Sequence, residues 1–330
     1  MTRKTWMLLG AAGGLFGVGV LYAPHPRIEV ARADCHLFEP DDLPWILPAK
    51  KSHDYCQTNP PKRHTRRSGS FETLRDDALA GVDASFWDKL DTTFPCNQAV
   101  FAPGNVVSLT EGGIRLGIER ATDDKGFTSG SIATKDTPEA KFTYGRFETM
   151  LKPVKVSGVI TAFFLYRFDP WQEIDAEILG KDPTKILVNV YFNPGEPGDL
   201  YNYGYRGTPV VVDLGFDTSL DFHRYAIEWE PEEIRWFVDD RLIHVRHAGQ
   251  PSPIPHLPMR LYVNVWPCCS EELAGPFDPA AVPTGAQIKS VTVSRWRASL
   301  GSRMKESVAD YFSPSGKSTD WRTQAGWIHP

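Results

Sequence analysis

Trp171-Gln172-Glu173-Ile174-Asp175-Ala176-Glu177-Ile178-Leu179-Gly180 sets three carboxylates at strict two-residue spacing among apolar residues. In an extended strand successive side chains point to opposite faces, so Glu173, Asp175 and Glu177 share one face while Ile174, Ala176 and Ile178 enter a core. On a helix the same acids would fan over most of the circumference. The stretch therefore predicts a strand with one apolar and one acidic face.

The same two-residue period recurs on both sides of it. Ile114–Ile118, Thr143–Leu151, Ile160–Tyr166, Ile186–Tyr191, Arg224–Trp229, Ile234–Val238, Arg260–Val265 and Ile288–Trp296 are short, alternating and rich in aromatic or β-branched residues. Asn193-Pro194-Gly195 and Asp239-Asp240 are turn signals between them. No glycine-rich phosphate loop leads from a strand into a helix, and long amphipathic helical patterns are missing. With 330 residues, 41% hydrophobic, the chain can bury one large core or two modest ones. Its 27 glycines and 27 prolines, scattered between apolar runs, favour many turns. These features predict an all-β fold, an antiparallel sandwich of the jelly-roll kind. A net charge of -5 gives no reason to expect a nucleic-acid partner.

Four segments are expected. Residues 1–23 carry Arg3 and Lys4 ahead of an uncharged apolar stretch, which reads as an export signal or, if uncleaved, a membrane-anchoring helix with the basic end inside. Residues 24–80 are polar, basic and proline-containing, and read as a tether. Residues 81–300 hold the strands, and 301–330 form a polar tail. The expected location is periplasmic or extracellular, with inner-membrane anchoring as an alternative. Five cysteines leave at least one unpaired within the chain: Cys35 and Cys56 can pair in the tether, Cys96 stands alone, and Cys268 and Cys269 are adjacent.

Acids i and i+4 on a strand have Cα atoms roughly 13 Å apart, and two glutamate side chains leaning from a curved sheet close much of that gap. A retaining glycosidase needs a carboxylate nucleophile and a carboxylic acid with their carboxyl groups about 5–5.5 Å apart. Asp175, between the glutamates, can hydrogen-bond one of them and keep the shared protons in order. Alternation also pairs Phe164 with Tyr166 and Asn189 with Tyr191 on single faces; Trp171 precedes the acids and Trp266 ends another strand. Flat aromatic rings and amides suit pyranose rings and their hydroxyls, so a polysaccharide is the expected substrate. His223 and His244 lie in strand-like runs and read as structural; no His-Glu-x-x-His or Cys/His metal spacing occurs.

WQEIDAEILG resembles the E-x-D-x-E signature of glycoside hydrolase family 16. TYGRFETMLKP, GVITAFFLYRFDPWQEIDAEILGKDPTKILVNVYFNPG, FHRYAIEWEPEEIRWFVDDRLIHV and RLYVNVW also resemble segments of bacterial lichenase-type endoglucanases and related exopolysaccharide depolymerases, over about two thirds of the chain. The resemblance implies a concanavalin-like jelly roll whose concave cleft holds a β-linked polysaccharide and cuts it internally with retention. By position it implies Glu173 as nucleophile, Asp175 as assisting acid and Glu177 as general acid/base. It implies Glu148, Phe164, Tyr166, Trp171, Asn189, Tyr191 and Trp266 as substrate-binding residues.

Departures from the pattern bear on specificity. Cys96 falls where lichenases have half of a disulfide, but Gly126–Ala133 holds no partner, so the bridge is lost or rewired to Cys268 or Cys269. The family's structural calcium is often held by an aspartate in the last strand, where this chain has Lys289 or Ser290; no cofactor is expected, with that calcium as the alternative. Arg167-Phe168-Asp169-Pro170 is a shortened turn on one cleft wall, and Pro267-Cys268-Cys269 replaces a polar loop on the other. Hydrolysis is the expected activity. The alternatives are a transglycosylase on the same scaffold and a non-catalytic carbohydrate-binding protein, the last opposed by the intact acids.

Overall fold

Alternating segments of this kind bury one face each, and two sheets of them close over a shared core. The computed structural model describes residues 69–299 apart from 123, 169, 193–207 and 249–252. The expected signal or anchor, most of the tether, the Cys35–Cys56 pairing, the Asn193-Pro194-Gly195 turn and the C-terminal tail lie outside the described residues.

The smaller sheet runs, edge to edge, β12 (Val210–Asp213), β11 (Lys185–Tyr191), β10 (Gln172–Leu179), β9 (Val159–Arg167), β16 (Arg260–Pro267), β7 (Ser131–Thr134) and β2 (Trp87–Lys89). The larger runs β15 (Arg241–His247), β14 (Glu233–Val238), β13 (His223–Trp229), β8 (Gly145–Lys152), β17 (Thr284–Ala298), β5 (Ile114–Arg120), β6 (Phe127–Ser129) and β3 (Val100–Phe101). Two further strands, β1 (Gly69–Asp77) on β17 and β4 (Val106–Ser108) on β5, complete it. Pairing is antiparallel except between β3 and β6. Helix is confined, among the described residues, to single turns such as Glu271–Ala274. This is the all-β sandwich the alternation predicts.

Between the sheets, Ile174, Ala176 and Ile178 of β10 meet Phe163, Leu165, Val188, Val190 and Val263 from their own sheet and Phe147, Ile227, Trp236 and Val293 from the other. Each large apolar side chain removed from water there contributes about 1.5–3 kcal/mol. Asp239 and Asp240 take φ of 48° and 61° between β14 and β15. That is the two-residue turn whose twist matches its strands, and aspartate tolerates it better than branched residues do. His223 bonds Asp239 through Nδ1 at 2.7 Å, and His244 packs beside Trp236, so both are structural.

One expectation changes and one open alternative is decided. The tether does not extend to residue 80, because Gly69–Asp77 is already strand β1, paired with β17 from Ala298 to Val291. Its residues are mostly polar because it covers no core, which is why periodicity did not mark it. Cys96 is bridged to Cys269 over a sequence separation of 173, and Cys268 remains a buried free thiol. The rewired pairing follows from strand order: β16 delivers Cys268 and Cys269 beside the loop holding Cys96, and Asn97 pairs with Cys268 as an isolated bridge.

Losing the bridge through Cys96→Ser should cost about 2–5 kcal/mol of unfolding free energy in urea. Cys269→Ser should cost less, because the Cys268 sulfur lies 3.7 Å from that of Cys96 and can take over the pairing. Equal losses in the two variants would contradict this.

Candidate active site

Strand β10 lies in the middle of the smaller sheet, and its register with β9 and β11 builds the site in rows. Glu173 stands between Tyr166 and Tyr191, Asp175 between Phe164 and Asn189, and Glu177 between Ala162 and Leu187. One strand further, β16 adds Arg260, Tyr262 and Asn264 to the same three rows. The strand can end sharply because of Gly180, where a Cβ would sit 2.3 Å from the carbonyl oxygen of Val156. At the other end the buried Gln172 accepts hydrogen bonds from the backbone N–H groups of His256 and Leu257, at 2.9 and 3.0 Å.

The aromatic residues form a connected lining. Phe164 stacks on Tyr262 with centroids 5.0 Å apart, Tyr262 meets Tyr166 edge-on, Tyr166 meets Trp171, and Trp171 lies 5.2 Å from Tyr191. Trp171 Nε1 donates to Glu173 Oε2 at 2.7 Å. Asn189 uses Oδ1 to accept from the backbone of Val190 and Thr208, and it hydrogen-bonds Tyr191 with its side chain. Its direct service is thus to hold β11 and Tyr191.

Two expected binding residues are placed differently. Glu148 is on β8 in the other sheet; its neighbour Phe147 fills the core, so Glu148 points away from it and pairs with Arg146, which also holds Glu228 at 2.7 Å. Glu148 therefore does not join the acidic face. Trp266 does share that face, but Phe94 packs edge-on against it at 4.8 Å, and it is buried in a second apolar cluster with Cys96, Phe101, Ile160 and Leu179. It walls the site rather than opening into it. Tyr262 was not singled out from the sequence, although alternation in Arg260–Trp266 sets it on the face of Trp266.

Burial raises the pKa of all three acids, and their mutual repulsion adds to it for Glu173 and Asp175. Asp175 is held well above its ordinary range, so it keeps its proton and donates to Glu173. Glu173 thus receives donors from Trp171 and Asp175, and both favour its ionised form. Among the described residues Glu177 has no such donor, and burial alone pushes it up to about 7. Burial and crowding thus hold both glutamates above the ordinary range, Glu173 up to about 8 and Glu177 to about 7, and the hydrogen bonds from Trp171 and Asp175 are what distinguish Glu173 by favouring its anion. At the position expected for a calcium ligand, the Lys289 ammonium stands 4.0 Å over the Phe222 ring. A lysine side chain supplies no oxygen ligand there, and no step is derived through a metal.

Residues 97–305 match the model of "Glycosyl hydrolases family 16". The chain belongs to that family. A beta-glucanase of Bacillus subtilis (strain 168) is 33% identical over 196 residues, covering 58% of this chain and 73% of the relative. One of Paenibacillus macerans is 34% identical over 200 residues, covering 57% and 74%. The solved Bacillus licheniformis beta-glucanase superposes with a TM-score of 0.58 at 27% identity, over 68% of this chain and 99% of that one. A lichenase from a mouse hindgut metagenome gives the same TM-score at 28% identity, with the same coverage. This family 16 chain is a glycosidase that hydrolyses O-glycosyl bonds.

A raised carboxyl pKa has a stability signature. Between the ordinary glutamate value of 4.5 and about 7, folded Glu177 keeps a proton that the unfolded chain has released, so stability falls as pH rises through that window. Urea unfolding from pH 4.5 to 7 should show this slope, and Glu177→Gln should make it shallower, the remainder coming from the raised Glu173 and Asp175. A slope unchanged by the substitution would contradict the raised pKa.

Proposed function

We propose that the chain is a retaining, endo-acting hydrolase of β-linked glucan, working through a glycosyl-enzyme on Glu173. The observation that carries this is the asymmetry along β10. Trp171 and Asp175 both donate to Glu173 and so favour its anion, whereas burial alone acts on Glu177 and favours its acid form. Glu173 attacks the anomeric carbon as Glu177 delivers its proton to the departing oxygen, so the C–O bond to the leaving chain breaks while a C–O bond to Glu173 forms. Glu177, now a base, takes a proton from water. The hydroxide equivalent then displaces Glu173 and restores the starting charges.

Tyr166, Trp171, Tyr191, Tyr262 and Phe164 supply flat surfaces for successive sugar rings. Phe168, 56% exposed at the tip between β9 and β10, extends that surface at the rim. The beta-glucanase names of the relatives support a β-glucan as the first substrate to try, with bacterial exopolysaccharide as the related class. The Cys96–Cys269 disulfide and the N-terminal apolar stretch support export to an oxidising compartment.

Barley-type glucan, laminarin, xyloglucan and acidic exopolysaccharides form the discriminating panel, with products sized by mass spectrometry. Internal cuts in a β-glucan are expected. Glu173→Gln should lower reducing-end release by about 10³-fold or more, as loss of a nucleophile does, while polymer binding is retained. An unchanged rate would overturn the assignment of Glu173.

A further inference from the structure

The ladder of a sheet fixes a strand within the sheet plane, because its hydrogen bonds run sideways to the neighbouring strands. The height of the strand above that plane is left to packing. At the middle of β10 one more bond acts in the missing direction. Trp236 Nε1, from β14 in the opposite sheet, donates to the backbone oxygen of Asp175 at 2.8 Å. Trp236 is 1% exposed and Asp175 5%, so the bond lies in the core without competing water.

We infer that Trp236 is a positioning residue of the glycosidase, acting through the backbone of Asp175 to hold the acids at working height. The inference rests on the roles proposed for Glu173, Asp175 and Glu177. Asp175 is the pivot of the three: its carbonyl oxygen accepts the Trp236 bond from the core side, and its carboxyl group bonds Glu173 on the other. A carbonyl held from below fixes the pleat at that residue and so the direction of its side chain. Gln172, tied to the 256–257 backbone, anchors the start of the strand but not its centre.

A buried indole N–H needs some acceptor, so a purely structural role is the competing account. The two accounts differ in what they change. If Trp236 only fills and satisfies the core, Trp236→Phe lowers stability and leaves turnover of the folded enzyme alone. If it positions Asp175, the folded variant turns over more slowly at nearly unchanged KM. With less donation from Asp175 to Glu173, its acid pH limb also moves to higher pH.

The test compares Trp236→Phe with Trp87→Phe in the full chain, on the β-glucan most readily cut, below the melting point of each variant. Trp87→Phe removes another indole hydrogen bond of a buried tryptophan, the part-buried Trp87 Nε1 to Asp77 Oδ2 bond at 2.9 Å, at the far edge of the smaller sheet. A sub-ångström displacement of reacting groups should lower kcat about tenfold in Trp236→Phe, with KM within about twofold. Trp87→Phe should leave kcat and the acid limb in place. If Trp236→Phe does not fold, site-specific benzothienylalanine at 236 keeps the ring shape, replaces N–H by sulfur, and should give the same loss. Unchanged kcat, or an equal fall in Trp87→Phe, would overturn the inference. Should Glu173→Gln stay active, the catalytic assignment itself fails; should it be inactive while Trp236→Phe is normal, only the positioning role fails.

Discussion

Three carboxylates crowded on one strand, the central one buried and its two neighbours half-buried, are tolerable only if they do not all carry charge. That constraint organises the site. The alternation that puts Ile174, Ala176 and Ile178 into the core forces Glu173, Asp175 and Glu177 together on the other face. Their protons must then be distributed unequally. Trp171 and Asp175 both donate toward Glu173, which favours the negative charge there over its neighbours. Without such a bias a row of acids would be only a repulsive surface; the proposed mechanism uses it to pair an anion with an acid on one strand.

The site depends on the sandwich as much as on its own residues. Neighbouring strands supply the aromatic lining by register alone, since Tyr166, Phe164, Tyr191 and Tyr262 fall in the rows of the acids. Beyond Glu177 the same face turns apolar, and the segment around Cys96 covers it through Phe94, Phe101 and the bridge to Cys269. The cleft is thus bounded on the Glu177 side by a wall assembled from positions distant in sequence.

What was legible beforehand follows from range. Period-two alternation is local, so the acidic strand, the eight strand segments and the partnership of Phe164 with Tyr166 could be read from neighbours in the chain. Family resemblance added the roles of the acids and set the two-sheet fold among known glycosidases. Glu148 entered the expected site through the resemblance alone, and Trp266 through it and as the end of a strand; nothing local shows which sheet carries Glu148 or that Phe94 covers Trp266. Strand β1 escaped because it is polar, and Trp236 because its bond crosses the core to a residue 61 positions away.

The central claim is that Glu173 is the anion that attacks. A fluorinated β-glucan oligosaccharide with a good leaving group, made slow to turn over at the second step, would trap the glycosyl-enzyme. Peptide mass spectrometry then reads the labelled residue directly. The account predicts a single adduct on Glu173, within the peptide that contains Gln172–Leu179. An adduct on Asp175 or Glu177 would contradict it.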